Sequence, residues 1–320
     1  MIQLLMLTLA FSFQLPQERA GSKYDPSESA GKVDVVRTEF KYEGRTVPLK
    51  FYLPAGKKSA ATIVLSHGLG GTREVGSYLG NYWAGRGYAV VAMQHAGSDA
   101  DVMKNARRGL QKFQALKKAA NGTAAVARYK DVRKTLDHLT ELNKNGKFAG
   151  QFDLTRVGMS GHSFGAITTQ AVSGQDYGPL GQRYTDKRIK AALPLSPSPP
   201  RFGFNDSTFG NVSIPWLLMT GTEDDSLISR NVDPESRRQV FPALPKAGHH
   251  YELCLEGATH FAFSDHKRGR GRNPAHHPAI QAISSAFWDT YLLDDTAAKT
   301  WLNGKGPRSV LARKDEWQRK

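Results

Sequence analysis

The sequence holds a single cysteine, Cys254, among 320 residues. One thiol cannot close an intrachain disulfide, so a disulfide scaffold and a cysteine-based metal cluster are excluded. No apolar run approaches the roughly 18 residues a membrane span requires. Mean hydropathy is −0.47, so a multi-pass membrane protein is excluded as well. Acid is scarce: 29 Asp and Glu face 44 Lys and Arg, a formal net charge of +15. Such a surplus favours contact with anionic surfaces and says nothing about fold. The basic residues are scattered, with small clusters at Lys104, Arg107 and Arg108, at Lys117 and Lys118, and at Lys267, Arg268, Arg270 and Arg272. They read as a solvated face and not as a dedicated nucleic-acid site. Internal repeats and long linkers are lacking too. Apolar residues make up 39% of the chain, enough for a sizeable core, so wholesale disorder is excluded.

At the start, Ile2 to Phe13 is almost wholly apolar. It is too short to span a bilayer but fits the apolar stretch of an export signal, and Ala20 offers a cleavage point, although no Lys or Arg precedes the run. Residues 1–20 are therefore expected to be a signal peptide, with export to the periplasm or beyond; without that signal the protein would be cytoplasmic. Residues 21–32 are polar and read as a flexible lead-in. Residues 33–320 read as one domain.

From Val33 onward, strand and helix signals alternate. Val33–Phe40 and Val47–Leu53 flank Glu43-Gly44-Arg45 as a hairpin. Ala61–Ser66, Tyr88–Met93, Arg156–Met159, Ile189–Leu195, Ile214–Thr220 and Tyr251–Leu255 are short apolar runs suited to buried strands, with Pro194 expected to break one of them. Glu74–Arg86, residues 102–119, residues 124–142, Phe164–Val172 and Pro278–Leu293 carry helical spacing. The alternation predicts an α/β fold with a mostly parallel sheet and helices on both faces.

The chemistry centres on Gly161-His162-Ser163-Phe164-Gly165, between a strand and a helix. A tight turn there exposes the serine hydroxyl above the sheet. A serine hydroxyl is a weak nucleophile and needs a base, and the base needs an acid to orient it. The chain order serine, acid, histidine is met by Glu223-Asp224-Asp225 after one strand and by His260 after the next. Asp224 is favoured as the acid, ahead of Asp225 and then Glu223. An oxyanion needs two backbone donors. Phe164, after the nucleophile, supplies one, and Leu69 in the Gly-rich loop Ser66–Gly71 supplies the second. Phe164, Trp216 and Phe261 are expected to line the acyl pocket. His67 and His162 read as supports of the active-site loops. The paired His249-His250 and His276-His277 lack a third ligand at zinc spacing, so no metal site is expected.

His-Gly-Leu-Gly-Gly-Thr-Arg (67–73), Gly-His-Ser-Phe-Gly (161–165), Gly-Thr-Glu-Asp-Asp (221–225) and Gly-Ala-Thr-His-Phe (257–261) stand in one order. Together they resemble the α/β-hydrolase superfamily. More narrowly they resemble the branch that holds platelet-activating-factor acetylhydrolases, dienelactone-hydrolase-like proteins and cutinase-like polyesterases. The resemblance covers about residues 33–293. It implies Ser163 as nucleophile, His260 as base, Asp224 as acid and Leu69 with Phe164 as oxyanion hole, with no cofactor and no metal. Two departures stand out. Dienelactone hydrolases use a cysteine nucleophile, whereas Cys254 lies on a strand here. The basic, Gly-rich stretch Asp265–His277 is longer than the branch leads one to expect. The expected activity is serine-dependent hydrolysis of a carboxylic ester, of the short-acyl or acetylhydrolase-like kind, on a small or lipid-like substrate. The alternatives are a thioesterase or other acyl hydrolase on the same fold, and a catalytically silent binder of polyanions.

Overall fold

The computed structural model describes residues 24–199, 205, 207–229, 231–265 and 273–320. The signal-peptide reading of residues 1–20 and the centre of the basic stretch after Asp265 lie outside the described residues.

A hairpin opens the fold: β1 (Val33–Tyr42) and β2 (Arg45–Pro54) pair antiparallel along their whole length. The turn places Glu43 and Gly44 at φ 46° and 73°, the left-handed pair that matches the twist of the flanking strands. Then follow β3 (Ala60–Ser66), α1 (Ser77–Gly85), β4 (Ala89–Met93), α2 (Gly109–Ala119), α3 (Gly122–Leu142), β5 (Phe152–His162) and α4 (Phe164–Val172). The second half runs through β6 (Ile189–Leu195), α5 (Ser207–Gly210), β7 (Leu217–Glu223), α6 (Pro234–Arg238), α7 (Val240–Ala243), β8 (Tyr251–Thr259), α8 (His276–Leu292), α9 (Thr296–Asn303) and β9 (Glu316–Arg319).

Among the described residues these strands form one sheet in the order β1-β2-β4-β3-β5-β6-β7-β8-β9. The centre, from β4 to β8, is parallel, and the edges are antiparallel. Strands β3 and β4 are buried along their whole length, as strands with helices on both faces must be. Side chains alternate between faces. Ile63 and Leu65 meet Trp83 of α1 and Phe287 and Trp288 of α8. Val64 and Val91 face Val132 and Leu136 of α3 on the other side. Each such side chain stabilises the fold by about 1.5–3 kcal/mol through burial. Helix α3 begins where the Asn121 side chain accepts the Ala124 N–H at 2.9 Å, a side-chain cap.

Several expectations need correcting. Residues 24–32 are not a loose lead-in. The Tyr24 hydroxyl donates to Asp289 at 2.7 Å, and the Arg86 guanidinium bridges Asp289 to the Asp25, Pro26 and Glu28 carbonyls. A polar segment gains order here from buried partners distant in sequence. The helix read over 102–119 is a 3₁₀ turn, Ala100–Met103, followed by α2. The Gln111 side chain takes the Arg107 and Arg108 amides and restarts the helix there. Pro194 does not break β6; it pairs opposite Gly161 inside the strand. The strand read from Ile214 begins at Leu217. Helix α9 and the edge strand β9, eight and four residues long, are not among the elements the sequence predicts; elements this short give few repeats of a period to recognise.

Candidate active site

The loops after β3, β5, β7 and β8 all open at the carboxyl edge of the sheet, where ligands bind in open α/β folds. Ser163 sits between β5 and α4 at φ 58° and ψ −114°, a strained conformation for a residue with a Cβ. The surroundings leave no slack. A Cβ on Gly165 would fall onto the Ser66 carbonyl oxygen, and one on Gly161 would fall onto the Gly165 carbonyl oxygen. Glycine at both positions lets β3 press against the turn and hold it.

His260 Nε2 lies 2.9 Å from Ser163 Oγ. Its other ring nitrogen, Nδ1, lies 2.7 Å from Asp224 Oδ1. Asp224 is fully buried, and its Oδ2 accepts from the Thr220 hydroxyl at 2.9 Å. Glu223 and Asp225 are exposed on either side. Burial pushes the Asp224 carboxyl up, but the His260 hydrogen bond and the Arg237 charge outweigh it and hold the carboxyl below its ordinary value. It therefore stays an acceptor at neutral pH and orients a proton on Nδ1, which leaves Nε2 free to accept from the serine.

Sequence reasoning missed Arg237. It sits in α6, is 2% exposed, and looks in the sequence like one more surface cation. Its Nε donates to the Asp224 carbonyl at 2.6 Å and lies 3.1 Å from the Asp224 carboxylate. Its Nη1 donates to the Ser196 and Pro197 carbonyls and the Ser198 hydroxyl, each at 3.0 Å. The Asp233 cap and Pro234 mark only the start of α6; no signal in the sequence singles out Arg237.

The amides of Leu69 and Phe164 take no backbone acceptor among the described residues, whereas those of Ser163, Gly70 and Gly71 donate to the Leu195, Ser98 and Gly68 carbonyls. Two clefts meet at Ser163. One, about 520 Å³, is lined by His260, Phe261, Ser264, Val75 and Phe113. The other, about 580 Å³, is lined by Phe164, Ile167, Tyr129, Ala125 and Tyr177. Leu69, Ser226 and Ile228 border both. Trp216 reaches neither cleft. It is fully buried against Phe209, and its indole N–H donates to the Ser173 carbonyl at 3.1 Å, so its place is in the core behind the sheet. His162 is half-buried, with its ring 4.6 Å from that of His260. Burial, then the nearby His260, holds it well below its ordinary pKa.

No group of three or more His, Cys, Asp or Glu able to hold a metal occurs among the described residues. No helix among them is long and apolar enough to cross a membrane. No curated protein matches the chain. The family model described as platelet-activating factor acetylhydrolase, isoform II, matches residues 52–266. That span is well over half of the chain and carries every residue of the two clefts named above. The chain therefore belongs to the platelet-activating factor acetylhydrolase, isoform II, family of the α/β-hydrolase superfamily, whose members are hydrolases of the serine esterase type.

Proposed function

We propose that the protein hydrolyses carboxylic esters through an acyl-enzyme on Ser163. The observation that carries this reading is the unbroken line of hydrogen bonds from Ser163 Oγ through His260 to buried Asp224. His260 Nε2 takes the Ser163 proton as Oγ attacks the ester carbonyl. Leu69 and Phe164 N–H groups receive the oxyanion, a contribution of about 3–4 kcal/mol per donor. Asp224 steadies the imidazolium. The protonated ring then donates to the departing alcohol, and water attacks the acyl-enzyme by the same route in reverse.

Since His260 must hand a proton to the alcohol, the alcohol belongs in the cleft lined by His260 and Phe261. The acyl group belongs in the cleft beside Phe164 and Ile167. At about 580 Å³ that cleft holds more than an acetyl group, so the reading extends from short to medium acyl chains. The test is a p-nitrophenyl ester series from acetate to octanoate, with wild type and Ser163→Ala. Wild type should turn over esters, with hexanoate at least as good as acetate, and the variant should lose roughly 10⁴–10⁶-fold in kcat. An inert wild type, or a variant of equal activity, refutes the reading. Activity on thioesters alone would favour the thioesterase alternative.

A further inference from the structure

Below the loop that carries Leu69 lies a second Ser–His–Asp relay. Ser66 Oγ lies 2.9 Å from His95 Nε2, and His95 Nδ1 lies 2.9 Å from Asp131 Oδ2. Ser66 is 1% exposed, and His95 and Asp131 are fully buried, so no substrate reaches this relay. Burial, with the charge of Arg128, pushes His95 down to about 4. Asp131 is pushed up by burial but held down to about 2 by its hydrogen bonds from Arg45 and His95. The neutral ring therefore donates from Nδ1 and accepts the Ser66 hydroxyl at Nε2.

The relay fixes the start of the next link. The His95 backbone N–H donates to His67 Nε2 at 3.0 Å, so the neutral His67 ring carries its proton on Nδ1, 2.6 Å from the Gly68 carbonyl. That carbonyl and the Leu69 N–H are opposite ends of one planar peptide unit. Holding the carbonyl aims the N–H. Arg128 completes the brace. It is fully buried in α3. Its Nη1 donates to the His67 carbonyl at 2.7 Å and its Nε to the Ser98 hydroxyl at 2.8 Å, while the Ser98 carbonyl accepts the Gly70 amide at 2.9 Å. Its guanidinium also lies 4.4 Å from the centre of the Phe164 ring. No carboxylate pairs directly with it among the described residues.

We propose that Arg128 is a positioning residue of the oxyanion hole: it ties the Leu69 loop to Phe164 and sets a buried positive charge, unmatched by any direct ion pair, behind both donors. The inference rests on the reading of Leu69 and Phe164 as those donors. A fixed cation in a dry site is worth more to a developing oxyanion than to a neutral ester, so it acts on kcat and not on KM.

The experiment compares Arg128→Met and Arg128→Lys with wild type in kcat, KM and the inhibition constant of a trifluoromethyl ketone, whose adduct with Ser163 carries the oxyanion. Arg128→Met should lose about 10–100-fold in kcat and weaken the ketone in parallel, with KM within about threefold. Arg128→Lys, which keeps the charge, should recover part of both. A folded Arg128→Met with unchanged kcat and unchanged ketone affinity overturns the proposal. So does a loss of kcat that leaves ketone affinity intact. If Arg128→Met does not fold, Ser98→Ala removes the Nε acceptor, together with the hydroxyl's 3.3 Å donation to the His95 carbonyl, and should still lower kcat and ketone affinity together; no change in either overturns the proposal. Ser163→Ala run alongside separates the two ideas. Activity that survives in that variant sinks the site reading, whereas Ser163-dependent activity indifferent to Arg128 sinks only this inference.

Discussion

His250 offers a prediction whose size follows from the structure. It precedes β8, and its backbone exchanges hydrogen bonds with Lys320 at the end of the chain. Its ring is fully buried, and neither ring nitrogen has a partner among the described residues. Burial, aided by the Lys320 and His249 charges, pushes it from the ordinary 6.5 down to about 4. Between those values the unfolded chain binds the proton and the folded chain does not. Stability therefore rises with pH across that window and is lost as pH falls through it. Worked through the linkage relation, this one ring costs about 2 kcal/mol at pH 5 relative to pH 8. His250→Leu removes both the titration and the two unpaired nitrogens, whose burial costs about 1–3 kcal/mol at any pH. The variant should melt higher than wild type at pH 8, and the gap should widen at pH 5 by roughly 4–8 °C, at about 2–4 °C per kcal/mol. Thermal melts of both proteins at the two pH values measure this. The other buried histidines contribute equally to both proteins and cancel. A gap that stays constant from pH 8 to pH 5 refutes the reasoning.

Gly165→Ala should abolish ester turnover, because its Cβ falls onto the Ser66 carbonyl oxygen and forces β3 away from the Ser163 turn. A folded, fully active Gly165→Ala would show that the turn tolerates displacement. Arg237→Met removes the donors that hold the Ser196 and Pro197 carbonyls and the charge beside Asp224. It should lower kcat/KM by about 10–100-fold as Asp224 and the loop at Ser196 lose their hold, a loss of about 1–3 kcal/mol in transition-state stabilisation. Steady-state kinetics on the best p-nitrophenyl ester checks it, and Arg237→Lys, which restores a cation, should lie between the two.

The sequence by itself determined the alternation of strands and helices, the parallel sheet and the turn at Ser163. These follow from patterns within a few residues of one another: apolar runs such as Ala61–Ser66, the spacing Val132, Leu136 and Leu139, and glycines two residues either side of the nucleophile. Such signals record which face a residue buries and how tightly the chain must bend, and both are local. Only the tertiary structure shows which of Glu223, Asp224 and Asp225 lies beside His260. All three can reach out from the end of β7, but Asp224 alone turns inward toward His260, under the hold of Thr220 and Arg237. Only it turned Arg128 and Arg237 from members of a basic surplus into buried braces, since their carbonyl acceptors lie 60 and 40 or so residues away in the chain. It also moved Trp216 into the core and fastened Tyr24 to Asp289. A charge shows its partner only once the chain has folded, because long-range hydrogen bonds leave no period in the sequence.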